Sequence, residues 1–170
     1  MKILIAYTSK NGTTAKCARM LAEKLEVSHE VRVSDMNKED TVSPEGFDVV
    51  VLGSSVRMGA VSKKLKKYIK ANVDMLNAKL CAVFLCCGFP DEFEEYVSTQ
   101  IPKALIPSLG IHCFGGELKP REVRGFDRII VRMIRNSITG HDFEDGNYTG
   151  MLPEIIPEHI NILADRIMGR

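Results

Sequence analysis

The 170-residue chain has no tryptophan and is only 6% aromatic, so few side chains are available to cover a flat ligand. It lacks an excess of either charge. Its 23 Lys and Arg against 22 Asp and Glu leave a formal net charge of +1, which argues against a generic nucleic-acid binder. No apolar run approaches the ~20 residues needed to span a bilayer. The amino terminus has one Lys and a short apolar run before polar residues, which is not a signal-peptide pattern. The five cysteines (17, 81, 86, 87 and 113) show no zinc spacing and are odd in number, which suggests reduced thiols and a cytoplasmic protein. The four histidines are scattered; His141 lies near Asp142, Glu144 and Asp145 in no known ligand spacing, so no metal is expected. A G-x-S-x-G elbow, a G-x-x-x-x-G-K-[ST] loop and G-x-G-x-x-G are all missing. Repeats, low-complexity tracts and linkers are absent too, so residues 1–170 read as one domain.

What is present starts at the amino terminus. The apolar run K-I-L-I-A-Y leads directly into T-S-K-N-G-T-T and then into a helical pattern with Ala18, Leu21, Ala22 and Leu25 on one face. A loop that leaves a parallel strand and opens a helix is a ready anion site, because free N–H groups and the positive end of the helix dipole point outward. Ser9, Thr13 and Thr14 add hydroxyl donors, Lys10 and Asn11 lie between them, and Gly12 lets the backbone come close to a ligand. A terminal phosphate monoester held mainly by neutral donors fits this loop.

Tyr7, Ser9, Gly12, Thr14, Ala18 and Leu21 form Y-x-S-x-x-G-x-T-x-x-x-A-x-x-L. The pattern resembles the FMN-phosphate signature of the flavodoxin family, and the resemblance implies FMN as cofactor. Five short apolar runs (3–7, 31–33, 49–53, 81–86 and 111–114) alternate with helical stretches at 61–76, 91–105 and from 153 onward. The runs V-V-V-L-G and C-A-V-F-L-C are continuously apolar, as strands covered on both faces should be. The predicted fold is α/β: a doubly wound five-stranded parallel sheet in three layers, with the flavodoxin-like order 2-1-3-4-5 and FMN at the carboxyl edge by strands one and three. Between strands two and three, residues 37–47 leave room for only a short connection.

Two further loops are expected to hold the flavin ring. After strand three come Ser54, Ser55, Val56, Arg57, Met58 and Gly59; Gly53 to Ser55 are small enough for close approach, and backbone N–H groups here suit flavin N5 and O4. Arg57 reads either as a partner for the pyrimidine end or a substrate carboxylate, or as a solvent-exposed loop residue. After strand four come Cys87, Gly88 and Phe89, with Phe89 the nearby aromatic able to cover the ring. The adjacent Cys86 and Cys87 invite a redox reading, but in a strand they point to opposite faces and buried Cys behaves as a small hydrophobe. No side chain is nominated as catalytic acid or base, since the flavin carries the redox chemistry.

Basic residues cluster twice. Lys63, Lys64, Lys66, Lys67 and Lys70 read as a solvated helix face. Residues 119–152 form an extra basic segment and loop before the last helix; within it, Arg128, Arg132 and Arg135 form one stripe on a helix predicted over 125–138. That stripe suits either a solvated helix face over core packing, or contact of 121–135 with a polyanionic substrate or with anionic lipid at the inner membrane face. The segments 54–59, 115–124, 126–134 and 139–149 are similar to the flavodoxin-domain family that contains the menaquinone-dependent protoporphyrinogen oxidase. The resemblance implies an FMN oxidoreductase that passes electrons from a porphyrinogen to a quinone. The alternative is an electron carrier for one specific partner.

Overall fold

A computed structural model describes residues 1–38, 42–117 and 154–170, together with the backbone of 143–144 and 147–148. Strand β1 (Lys2–Thr8) is buried at every position after Lys2. It lies between two parallel neighbours, β2 (Glu30–Asp35) and β3 (Val49–Arg57), with Ile3 opposite both Val31 and Val49. A short β4 (Ala60–Val61) folds back antiparallel onto β3. Beyond β3 come β5 (Leu80–Cys86) and β6 (Ile111–Cys113), both parallel. The parallel strands therefore run β2-β1-β3-β5-β6, the 2-1-3-4-5 order expected from the alternation of strands and helices.

Alternate residues of each strand feed two cores. Ile3, Ile5 and Tyr7 pack with Cys17, Ala18, Leu21 and Leu25 of α1 (Thr13–Leu25) and with Ile160, Leu163 and Ile167 of α4 (Pro157–Met168). Leu4, Ala6, Val50 and Leu52 pack on the other face with Leu65, Tyr68, Ile69 and Leu76 of α2 (Lys63–Asn77) and with Tyr96 of α3 (Phe93–Gln100). The result is the expected α/β/α sandwich.

Between β2 and β3 a loop does the work of a helix. Met36 is fully buried in the second core, and Val42 and Phe47 pack against it. Side chains from α2 and its end fasten the loop: Tyr68 Oη donates to Val42 O at 2.9 Å, Lys79 Nζ to Phe47 O at 2.7 Å, and Lys64 Nζ to Met36 O.

Several boundaries differ from the predicted ones. The third strand continues past Gly53 to Arg57, because residues 56 and 57 find partners in β4. The helix expected over 91–105 is a 3-10 turn at Pro90–Glu92 followed by α3, which stops at Gln100. Pro102 is the reason: it forces Ile101 into an extended conformation, with ψ 131°. The helix expected over 125–138 and its arginine stripe lie outside the described residues. Within the loop before α4, β7 (Phe143–Glu144) pairs antiparallel with β8 (Asn147–Tyr148). Among the described residues, no helix is long and apolar enough to cross a membrane.

Candidate functional site

The loop leaving β1 is shaped by its own polar groups. Gly12 N donates to Ser9 Oγ at 3.2 Å, and Asn37 Nδ2, just past β2, donates to Ser9 O at 2.9 Å. Gly12 stands at the cap position of α1 with φ 89° and nothing within 4 Å of where a Cβ would be. No side chain caps the helix, and its first turn holds no acidic residue. Its first N–H groups are thus left for an anion, with the dipole favouring negative charge. Among the described residues, Thr14 Oγ1 is buried without an oxygen or nitrogen partner and acts only on the Cys86 thiol, an arrangement that costs free energy unless a ligand completes it. Lys10 and Asn11 are exposed and Thr13 is half-buried. Lys16 does not add to this site as a free cation, because its ammonium binds Glu117 at 2.6 Å.

The segment after β3 is a hairpin rather than an open loop. Met58 and Gly59 both have positive φ, at 49° and 70°, as a two-residue turn matching the strand twist requires. Val56 and Arg57 pair with Val61 and Ala60. The small residues expected to admit a ligand here are partly engaged elsewhere. A Cβ on Gly53 would stand 2.3 Å from Phe84 Cζ, so the gap at Gly53 is filled by the Phe84 ring. Ser54 is fully buried; its Oγ accepts from Thr8 Oγ1 and from Ser62 N, both at 3.2 Å, and donates to Ser55 O at 3.0 Å. Its hydroxyl joins β1, β3 and the start of α2.

The two segments face each other across a cleft of about 380 Å³. Thr8, Ser9 and Lys10 line one side, Asn37 lies at one end, and Ser55, Arg57, Ala60 and Ser62 line the other. The cleft lies at the carboxyl ends of β1 and β3, where the strand order reverses direction, the usual ligand position in an open α/β sheet. Of the residues singled out in the sequence, Ser9, Lys10, Ser55 and Arg57 meet here; Asn11, Gly12, Thr13 and Thr14 continue directly from the first side. Val56 and Met58–Gly59 belong to the hairpin but do not line the cleft, and neither do Cys87, Gly88 and Phe89. Gly88 and Phe89 are half-buried, whereas Cys87 is buried against Cys113. Asn37, Thr8, Ala60 and Ser62 were not singled out. Asn37 could have been, since it lies two residues past the strand that the 2-1-3 order puts beside β1.

The same fold recurs in known proteins. The flavodoxin-domain profile matches residues 4–145. This chain belongs to the flavodoxin-domain family. A relative in Escherichia coli K12, a quinone-dependent protoporphyrinogen IX dehydrogenase, is 25% identical over 142 residues, which cover 79% of this chain and 78% of that one. Among solved structures, two-electron reduced flavodoxin of Megasphaera elsdenii superimposes with a TM-score of 0.52 at 14% identity, over 65% of this chain and 84% of its own. An apo NADH:FMN oxidoreductase reaches the same TM-score, 0.52, at 14% identity, over 67% and 74% of the two chains. At such identities the structural likeness concerns the fold of this flavodoxin-domain protein alone.

Proposed function

We propose that the protein binds FMN in the switch-point cleft and acts as an oxidoreductase that takes electrons from a reduced, anionic small molecule and passes them to a quinone. The cleft carries this reading, because it joins an uncapped helix start to a hairpin bearing Arg57. The phosphate belongs on the first N–H groups of α1 and on the hydroxyls of Ser9, Thr13 and Thr14; a buried Thr14 Oγ1 with no oxygen or nitrogen partner among the described residues supports that assignment. Ser55, Val56, Arg57 and the Met58–Gly59 turn border the ring on one side, and Cys87, Gly88 and Phe89 on the other. Bound FMN supplies a two-electron redox couple. Arg57, half-buried in the cleft wall, and the exposed Lys10 orient a carboxylate-bearing substrate. Kinship to a protoporphyrinogen dehydrogenase supports a porphyrinogen as that substrate. Contact of residues 121–135 with the membrane surface belongs to the same proposal, as do a cytoplasmic location and a single domain over 1–170.

One observation favours a second reading, an electron carrier for a specific protein. Met58 at the hairpin tip is 77% exposed, and an apolar side chain held out beside the cleft suits a protein partner. Fluorescence titration with FMN comes first: a purified protein that neither carries nor takes up FMN overturns both readings. Quinone-dependent oxidation of protoporphyrinogen then separates them. The enzyme reading expects turnover, and expects Arg57→Leu to raise KM roughly tenfold or more through loss of a charged hydrogen bond. Single-electron exchange with a reductase, with no quinone turnover, would leave the carrier.

A further inference from the structure

The sequence neighbours Cys86 and Cys87 part company in the fold. Cys86 turns into the core under α1, with its sulfur 3.6 Å from that of Cys17. Cys87 turns to the opposite face, with its sulfur 3.4 Å from that of Cys113 at the end of β6. We propose that Cys87 and Cys113 form a redox-active dithiol that a hydroperoxide closes into a disulfide at the edge of the β5 loop.

The geometry needs little change. A disulfide requires about 2.05 Å between sulfurs and Cβ atoms about 3.8 Å apart. The two residues stand at the carboxyl ends of adjacent parallel strands, with Cys113 opposite Leu85 in register and Cys87 just beyond it. Cys87 lies outside the β5 ladder, so a side-chain rotation there strains no strand pairing. Their surroundings also differ from those of the other pair. The Cys113 thiol is drawn down from its ordinary value: the Cys87 thiol donates to it, and the Gly115 N–H and the His159 ring also favour the thiolate, against the opposing effect of burial. His159 sits directly on this strand end, with Nδ1 2.6 Å from Cys113 O. The Cys86 thiol is pushed well up, first by its hydrogen bond with Cys17 and then by burial, and the Cys87 thiol is pushed up likewise by its bond with Cys113 and by burial; what sets Cys113 apart is the added pull of the Gly115 N–H and the His159 ring. Thiolate character governs attack on an oxidant. Size decides the oxidant: Cys113 is only 8% exposed, which admits a molecule as small as hydrogen peroxide and keeps out a bulky disulfide.

The steps balance. Cys113 thiolate attacks the terminal oxygen of the peroxide; the O–O bond breaks, and the leaving oxygen takes up the proton that Cys113 had released. Cys113 is then a sulfenic acid. The Cys87 sulfur attacks the Cys113 sulfur, the S–O bond breaks, and water leaves with the Cys87 proton. Two thiols lose two electrons, and one peroxide is reduced. Residues 115–116 pack so closely on this corner that a Cβ at Gly116 would stand 2.9 Å from the carbonyl of Cys87.

The test treats the full-length reduced protein with stoichiometric hydrogen peroxide, quenches in acid, alkylates under denaturing conditions and maps the peptides. The proposal expects the intact mass to fall by two hydrogens, a Cys87–Cys113 crosslink reversed by dithiothreitol, and alkylated Cys17, Cys81 and Cys86. The crosslink should form faster than any Cys17–Cys86 bond, because Cys113 is 8% exposed whereas Cys17 is fully buried. Cys87→Ser should halt the reaction at a dimedone-trappable sulfenic acid on Cys113, and Cys17→Ser should leave the crosslink unchanged. Five alkylated cysteines after peroxide, or equal crosslinking of both pairs, would overturn it. A Cys87→Ser protein whose Cys113 takes no dimedone would overturn the assignment of Cys113 as attacking sulfur.

Discussion

In the loop after β1, Gly12 holds a φ of 89° with open space where its side chain would be, whereas within β3 the space beside Gly53 is filled by the Phe84 ring. The hydroxyls differ in the same way. Among the described residues, Thr14 Oγ1 is buried with no oxygen or nitrogen partner, but Ser54 Oγ, equally buried, makes three hydrogen bonds. Small and hydroxylated residues at a sheet's carboxyl edge thus serve two purposes. At β1 they stay open to a ligand; at β3 they lock the strands that hold the ligand's cleft in place. Composition alone does not separate the two, since both segments are Ser- and Gly-bearing runs after an apolar strand. The partners of each polar atom do separate them.

The largest effect should come from breaking the closed side. Gly53→Ala would push a methyl group to 2.3 Å from Phe84 Cζ. Phe84 is fully buried and stacked on Phe114 at 4.5 Å between centroids, so its ring has no room to retreat. Overpacking of this kind costs roughly 2–3 kcal/mol. A denaturant melt of the ligand-free protein measures it, and an unchanged midpoint would show that Phe84 does not depend on the missing side chain. Gly12→Ala, which meets no atom, should cost less, about 1–2 kcal/mol from left-handed strain alone.

Second in size is Ser54→Ala. It leaves Ser62 N–H and the Thr8 hydroxyl without their acceptor in a buried setting, which costs about 1–3 kcal/mol. Because Ser62 opens α2, hydrogen exchange in the first turn of that helix should accelerate together with the loss of stability. Stability lost without faster exchange there would place the damage elsewhere.

The strand order was legible because continuously apolar runs such as V-V-V-L alternate with helical stretches, which implies a parallel sheet with right-handed crossovers. The turn after β1 on one side of the cleft, the proposed seat of the phosphate, was legible for a local reason: strand, glycine and helix follow one another within a dozen residues, and an open helix start depends on that succession alone. The other side was not. Ser55, Val56 and Arg57 look like a loop, and the Met58–Gly59 turn carries a weaker signal than Asn-Gly, so the continuation of β3 depends on pairing with Ala60 and Val61. The end of α3 was readable from Pro102, whose effect on Ile101 is local. The pairing of Cys87 with Cys113 was out of reach, since it needs both the adjacency of β5 and β6 and their stagger.

The smallest change in stability should accompany the sharpest test of the open side. Thr14→Val keeps the shape of the side chain and removes a buried hydroxyl that, among the described residues, has no oxygen or nitrogen partner and acts only on the Cys86 thiol. Replacing an unsatisfied buried polar atom by a methyl group should leave the melting midpoint unchanged or raise stability by up to about 1 kcal/mol. If that hydroxyl instead awaits the phosphate of FMN, the same variant gives up one hydrogen bond to a charged group. The FMN dissociation constant should then rise roughly tenfold, equivalent to about 1.4 kcal/mol. Fluorescence titration and a denaturant melt on the same preparation read both quantities. Weaker binding with undiminished stability is a combination that damage to the fold cannot produce. An unchanged dissociation constant would mean that the phosphate is held by the backbone N–H groups of α1 and by Ser9 and Thr13 without Thr14.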